Sequence, residues 1–251
     1  MARAKGLKRK YGWKPDVPDS RDFIFKRKKL RLFLPKLVDL RGSLSPVEDQ
    51  GSCGSCTGNA LAGNVEFLLR KNNDTTDVSR LFIYYNERLL ENTVSQDAGA
   101  FLRDGIKTLA KHGVCAESLW PYMPKQYSHE PTAECYEDAK KRKIVLYERL
   151  LSVSDILSCL AEGYPVVCGI AIYESFESNL TTVTGMDNMP QPSEVMLGGH
   201  AVMICGYDLS DKIFIVRNSW GASWGVQGYF KMPLKYAEQL GDDFWTIRAM
   251  A

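Results

Sequence analysis

A change of pattern near residue 143 predicts an α+β protein of two lobes, the first mainly helical and the second mainly strands. Upstream, Leu61, Val65, Leu68 and Leu69 recur at three- and four-residue spacing, the buried face of a helix running from 55 to about 71. Downstream, segments 165–173, 201–207, 212–217 and 228–232 are short, β-branched or aromatic, and bounded by Gly, Pro or Asp, as strands are. With 251 residues, 45% hydrophobic and 25% charged, the chain has material for one large domain or two modest lobes.

Residues 1–33 form a basic extension. Twelve Lys or Arg stand there against Asp16, Asp19 and Asp22, a charge of +9 in a chain of net charge +2, so the body carries −7. A basic arm on an acidic body can fold back over it, or reach for nucleic acid or anionic lipid. A solvated leader is the plain alternative, but Tyr11-Gly12-Trp13 and Phe23-Ile24-Phe25 are too apolar for a pure tail. These are expected to pack on the body, near or across its cleft. The charged start has no apolar run behind it, unlike a secretory signal, and no run reaches the ~18 apolar residues that span a bilayer. The expectation is a cytoplasmic protein, or one exported without a cleaved signal.

The body, 34–251, divides at about 142. The first part, 34–142, carries the helix from 55 and further helical stretches at 79–90 and 99–112. The second, 143–251, carries the strands. Within it, 181–192 is rich in turn-forming residues and reads as a loop, either bordering the cleft or a plain surface insertion.

The chemistry lies in three blocks. Gln50 and Cys56 fall in Asp49-Gln50-Gly51-Ser52-Cys53-Gly54-Ser55-Cys56, His200 in Gly198-Gly199-His200-Ala201, and Asn218 in Asn218-Ser219-Trp220-Gly221. A thiolate nucleophile needs a lowered pKa and a proton donor for its leaving group. An imidazole does both, an amide holds that imidazole in one tautomer, and a nearby glutamine can donate to an oxyanion. Cys56 would lie in the first helical turn, where the dipole favours a thiolate. Its plain alternative is an inert core thiol, and those of His200, Gln50 and Trp220 are structural roles. His112 and His129 lack such context and read as structural.

These blocks resemble the papain family of cysteine peptidases. His200 lies 144 positions after Cys56, within the family's spacing of about 130–150, and the run from Asn218 through Trp224, Gly225 and Gly228 to Tyr229 is similar to the family's Asn-Ser-Trp-Gly block. Weaker likeness extends from about 34 to 230. The resemblance implies a two-lobed, papain-like fold with a barrel-like strand-rich lobe. It also implies peptide or protein substrates, no cofactor or metal, and endopeptidase action through a Cys56 thiolate and His200 imidazolium pair. Asn218 would accept from His200, Gln50 and the Cys56 N–H would hold the oxyanion, and Trp220 would shield the His200–Asn218 bond. Gly99, Gly198, Gly199, Ala201 and Trp220 would line the substrate site, with an apolar or aromatic substrate side chain two residues before the scissile bond. The extension, shorter than the family's long helical propeptides, is expected to act as a self-inhibitor.

Two departures stand out. Thr57 occupies the position of a family tryptophan. Cys53 lacks its usual disulfide partner, because 95–100 (Ser-Gln-Asp-Ala-Gly-Ala) has no cysteine. Cys115 and Cys135 could pair, although without a secretory signal thiols are favoured. Other readings are a thiol acyltransferase or amidase on the same residues, and an idle binding protein using its basic arm, for which nucleic acid is an unfavoured partner. A Cys53-x-x-Cys56 redox or zinc site lacks the preceding strand and the second ligand pair that such sites need.

Overall fold

The structure is a computed structural model describing residues 9–27 and 34–251; the remaining parts of the basic extension, 1–8 and 28–33, lie outside the described residues. Helix α1 (Cys56–Lys71) forms the spine of the helical lobe, with fourteen of its sixteen residues buried. Against it pack α2 (Arg80–Leu90) and α3 (Leu102–Lys111). Ser79 caps α2 through a bond from the Phe82 N–H, satisfying one of the donors that every helix start leaves open. The helix expected over 99–112 starts later, because Ala100–Phe101 is extended as strand β3. It pairs in parallel with β1 (Trp13–Lys14) of the N-terminal segment.

The second lobe is a seven-stranded sheet. Six strands run in the order β4 (Ile144–Leu150), β9 (Gly241–Met250), β5 (Val166–Tyr173), β6 (Met196–Asp208), β7 (Ile213–Arg217) and β8 (Tyr229–Pro233), and β2 (Leu37–Asp39) pairs with β6. All the pairings within this sheet are antiparallel. The four strands expected from residue pattern are present. So are β4 and β9, whose mixed or charged sequences masked them. The division at 142 needs one amendment: β2 lies in the helical half of the sequence but hydrogen-bonds into the strand-rich sheet. Val167, Ala201, Met203, Trp245 and Ile247 pack with α1 residues in one shared core, so the lobes meet through apolar side chains below the groove between them.

The stretch expected as a loop over 181–192 begins within a short helix, Asn179–Thr184. It is laced to β8 by Asp187 N–H to Lys231 C=O (3.0 Å) and Lys231 N–H to Gly185 C=O (2.7 Å).

Candidate active site

Cys56 is the first residue of α1 and is fully buried. His200 lies in β6 and Asn218 just beyond β7, adjacent antiparallel strands. The fold therefore brings residues from distant parts of the sequence to one edge of α1. His200 Nε2 lies 2.8 Å from Asn218 Oδ1. That leaves His200 Nδ1 with no hydrogen-bond partner. The peptide group of Ala201, next to His200, favours the Cys56 thiolate. Trp220 lies over the imidazole, ring centroids 5.0 Å apart.

Gln50 is held rigidly. Its Oε1 accepts from Ser219 Oγ (2.7 Å), its Nε2 donates to Cys53 C=O (2.8 Å), and its own carbonyl accepts from Tyr122 Oη (2.9 Å). Ser219, unremarked in the sequence, thus ties the glutamine to the asparagine block: its own N–H donates to Asn218 Oδ1 at 2.8 Å.

The N-terminal segment runs along these groups. The Arg9 guanidinium lies 5.0 Å over Trp220 and bonds Asp49. The Lys10 carbonyl accepts from Gln50 Nε2 (3.3 Å), and the Tyr11 ring lies 6.3 Å from that of His200. A Cβ on Gly12 would fall 1.7 Å from Gly54 O, so only glycine passes so close to the loop before Cys56. Gly12 C=O accepts from Ala100 N–H (2.7 Å), beside Gly99. The Trp13 ring lies where a Cβ on Gly169 or Gly199 would be, 1.8 and 2.6 Å away. Its Nε1 donates to Asp243 at 3.1 Å. Tyr11 rests on Gly198 and bonds Glu177.

Further along, Asp16 accepts from the Arg103 N–H (3.2 Å) and Trp245 Nε1 (3.2 Å). Asp22 pairs with Arg103 (2.7 Å) and Arg149 (3.3 Å). Tyr11, Gly12, Trp13 and Asp243 had only their apolar or turn-forming character to signal them.

Burial under this segment changes the titration of the pair. It pushes the Cys56 thiol up to about 11, although the peptide groups of Ala201, Gly12 and Thr57 pull the other way. It pulls His200 down to about 4, against the Asn218 bond that favours the cation. Burial therefore works against the thiolate–imidazolium couple expected from the sequence. Desolvation penalises both charges, so covering the pair shifts it toward the neutral form.

Both departures have structural answers. Thr57 Oγ1 donates to Glu87 Oε2 (2.7 Å). Glu87 is fully buried, and burial raises its carboxyl well above the usual range, so a hydroxyl–carboxyl pair sits at the start of α1, beside Cys56. Cys53 is a free thiol 3.6 Å from Asp97 Oδ1. Cys115 and Cys135 neighbour each other, both unbridged.

A buried thiol at a helix start, beside an amide-held imidazole and an anchored glutamine at the junction of two lobes, is the architecture of a cysteine peptidase. The chain belongs to the papain family: the family model described as papain family cysteine protease matches residues 34–242. It is similar to the uncharacterized peptidase C1-like protein L477 of Acanthamoeba polyphaga mimivirus, 42% identical over 96% of this chain and 88% of that protein. Chymopapain of Carica papaya is 28% identical, over 89% of this chain and 61% of that protein. Among solved structures, xylellain, a cysteine protease from Xylella fastidiosa, matches with a TM-score of 0.89 and 40% identity, covering all of both chains. The protein is a cysteine endopeptidase of the papain type, acting on peptide or protein substrates. Among the described residues, no helix is long and apolar enough to cross a membrane.

Proposed function

We propose that Cys56 is the nucleophile of this endopeptidase and that residues 9–27 hold it in a self-inhibited form. The His200–Asn218 bond of 2.8 Å, with Nδ1 left unpartnered, carries the reading. An imidazole whose Nε2–H is fixed by an amide presents its other nitrogen as a base in one orientation. In the open enzyme, water returns to the groove and the ion pair becomes accessible. The Cys56 thiolate attacks the scissile carbonyl, and Gln50 Nε2 with the Cys56 N–H holds the oxyanion. His200 protonates the leaving amine and then activates the water that releases the acyl group. Trp220, only 2% exposed, keeps water from the His200–Asn218 bond, which a drier setting strengthens.

Self-inhibition is supported by the full burial of both Cys56 and His200 and by the Gly12 peptide group at the sulfur. A Gly12 N–H that favours the thiolate offers the nucleophile a proton donor where a substrate would offer a carbonyl carbon. Gly99, Gly198, Gly199 and Ala201 would receive the substrate where the segment now lies. Trp13 against Gly199 supports a wall there that accepts an aromatic side chain. The cytoplasm, or export without a cleaved signal, fits seven thiols that are all unbridged.

The test is intact mass after treatment with an epoxysuccinyl-type inhibitor, beside hydrolysis of a peptide substrate. A slow adduct on the full-length chain is expected, faster in Gly12→Val and absent, together with hydrolysis, once Cys56→Ala is added to either. An adduct or hydrolysis surviving Cys56→Ala would refute the assignment.

A further inference from the structure

Asp97 lies against Lys10 of the N-terminal segment, two residues before Gly99. Gly54 N–H donates to its Oδ1 at 2.9 Å and reaches Oδ2 at 3.2 Å. Tyr84 Oη donates to Oδ1 at 2.6 Å, and Lys10 Nζ to Oδ2 at 2.6 Å. Burial alone would push this carboxyl up, but the bonds from Lys10, Tyr84 and Gly54 outweigh it and hold it below the usual range. It is a fixed negative charge, its side chain only 9% exposed, beside the loop that leads into the nucleophile helix.

Lys10 shows what this charge is placed to receive. Its carbonyl oxygen lies 3.3 Å from Gln50 Nε2, the donor assigned above to the oxyanion, while its ammonium reaches Asp97. A substrate residue that contributes the attacked carbonyl must bring its oxygen to that same donor. Its side chain then starts from about the place where Lys10 starts, within a lysine's length of Asp97 Oδ2.

We infer that Asp97 is a specificity-determining residue, selecting a lysine or arginine side chain on the acyl side of the scissile bond. The inference rests on the oxyanion role proposed for Gln50. When the segment leaves, Asp97 keeps the Tyr84 and Gly54 donors and loses only its ammonium partner. Oδ2 is then left facing the groove, ready for a second cation. A hydrogen bond to a charged group in a partly desolvated wall is worth about tenfold to a hundredfold in selection.

The test uses the full-length chain carrying Gly12→Val, whose side chain cannot seat against Gly54 and which therefore frees the groove. Two peptide amides are compared that differ only in arginine or citrulline, its neutral isostere, before the scissile bond. The expected ratio of kcat/KM favours arginine by about tenfold to a hundredfold. In Gly12→Val with Asp97→Asn, which keeps the oxygen that accepts from Gly54, the ratio falls toward one. With Asp97→Glu, which keeps the charge, the preference stays.

A ratio within twofold of one in the Gly12→Val chain overturns the inference, however the Asp97 variants behave. So does a preference for arginine that survives Asp97→Asn. A Gly12→Val chain that takes up the epoxysuccinyl inhibitor and cleaves both peptides equally sinks this inference alone. One that takes up no inhibitor and cleaves neither sinks the proposed function with it.

Discussion

Replacing Trp13 by alanine in the full-length chain isolates the grip of the N-terminal segment on the groove. Trp13 is 9% exposed, so most of its ring is withdrawn from water. A tryptophan buries about 150–250 Å², and at about 25 cal/mol per Å² this is about 4–6 kcal/mol of docking free energy. Truncation to alanine removes about 3–5 kcal/mol of it. The lower figure shifts the balance between covered and open forms about a hundredfold. If covering and uncovering are fast, the labelling rate of Cys56 tracks the open fraction. Its second-order rate constant with an epoxysuccinyl inhibitor, followed by intact mass, should then rise about a hundredfold in Trp13→Ala. Val17→Ala, at a side chain 73% exposed on the same segment, should leave it within twofold or so. A folded Trp13→Ala chain labelled within about threefold of the parent would refute the claim that this side chain closes the groove.

Two further outcomes follow from the buried groups. In the full-length chain His200 should remain neutral, with the proton on Nε2, until the pH falls to about 4, and Gly12→Val should raise that midpoint; ¹⁵N shifts of the ring report both. Because the covered state depresses this pKa, His200 favours covering above the ordinary histidine range, and that contribution is lost as pH falls toward 4; Asp16 and Asp243, raised by burial, act in the opposite sense. Separately, Thr57→Val removes the hydroxyl that donates to Glu87 and leaves a buried carboxyl short of a partner. It should cost about 1–3 kcal/mol and lower Tm by about 2–4 °C for each kcal/mol, measured by thermal unfolding.

Helix α1 was legible because Leu61, Val65, Leu68 and Leu69 recur at three- and four-residue spacing, although its first fourteen residues are buried on every side. The strands at 166–173 and 213–217 were legible because they are buried on both sides and read as apolar runs. By contrast, β9 carries Asp242, Asp243 and Arg248, and β4 carries Glu148 and Arg149. Their charges are matched to partners far away in sequence: Arg149 with Asp22 and Asp243, Arg248 with Glu162. A local pattern cannot show a charge neutralised at such a distance.

The same limit applies to the site. Gln50, Cys56, His200 and Asn218 stand in distinctive neighbourhoods, and the structure brings His200 and Asn218 into contact. Asp97 was visible only as the place where a cysteine was missing. The ionisation of Cys56 and His200 depends on what covers them, which neighbouring residues alone do not reveal.

The seam between the N-terminal segment and β9 joins residues about as far apart as this chain allows: Trp13 to Asp243, and Asp16 to Trp245, separated by 230 and 229 positions. Contacts so distant in sequence close large loops and form late. Asp243 and Trp245 take their places only when β9 enters between β4 and β5, so the seat of residues 13–16, partly built by β3 and β6, is incomplete before then. Residues 13–16 are made before β9 and yet settle fully only after it. The strand they wait for also completes the sheet carrying His200, so the site and its cover mature in one step.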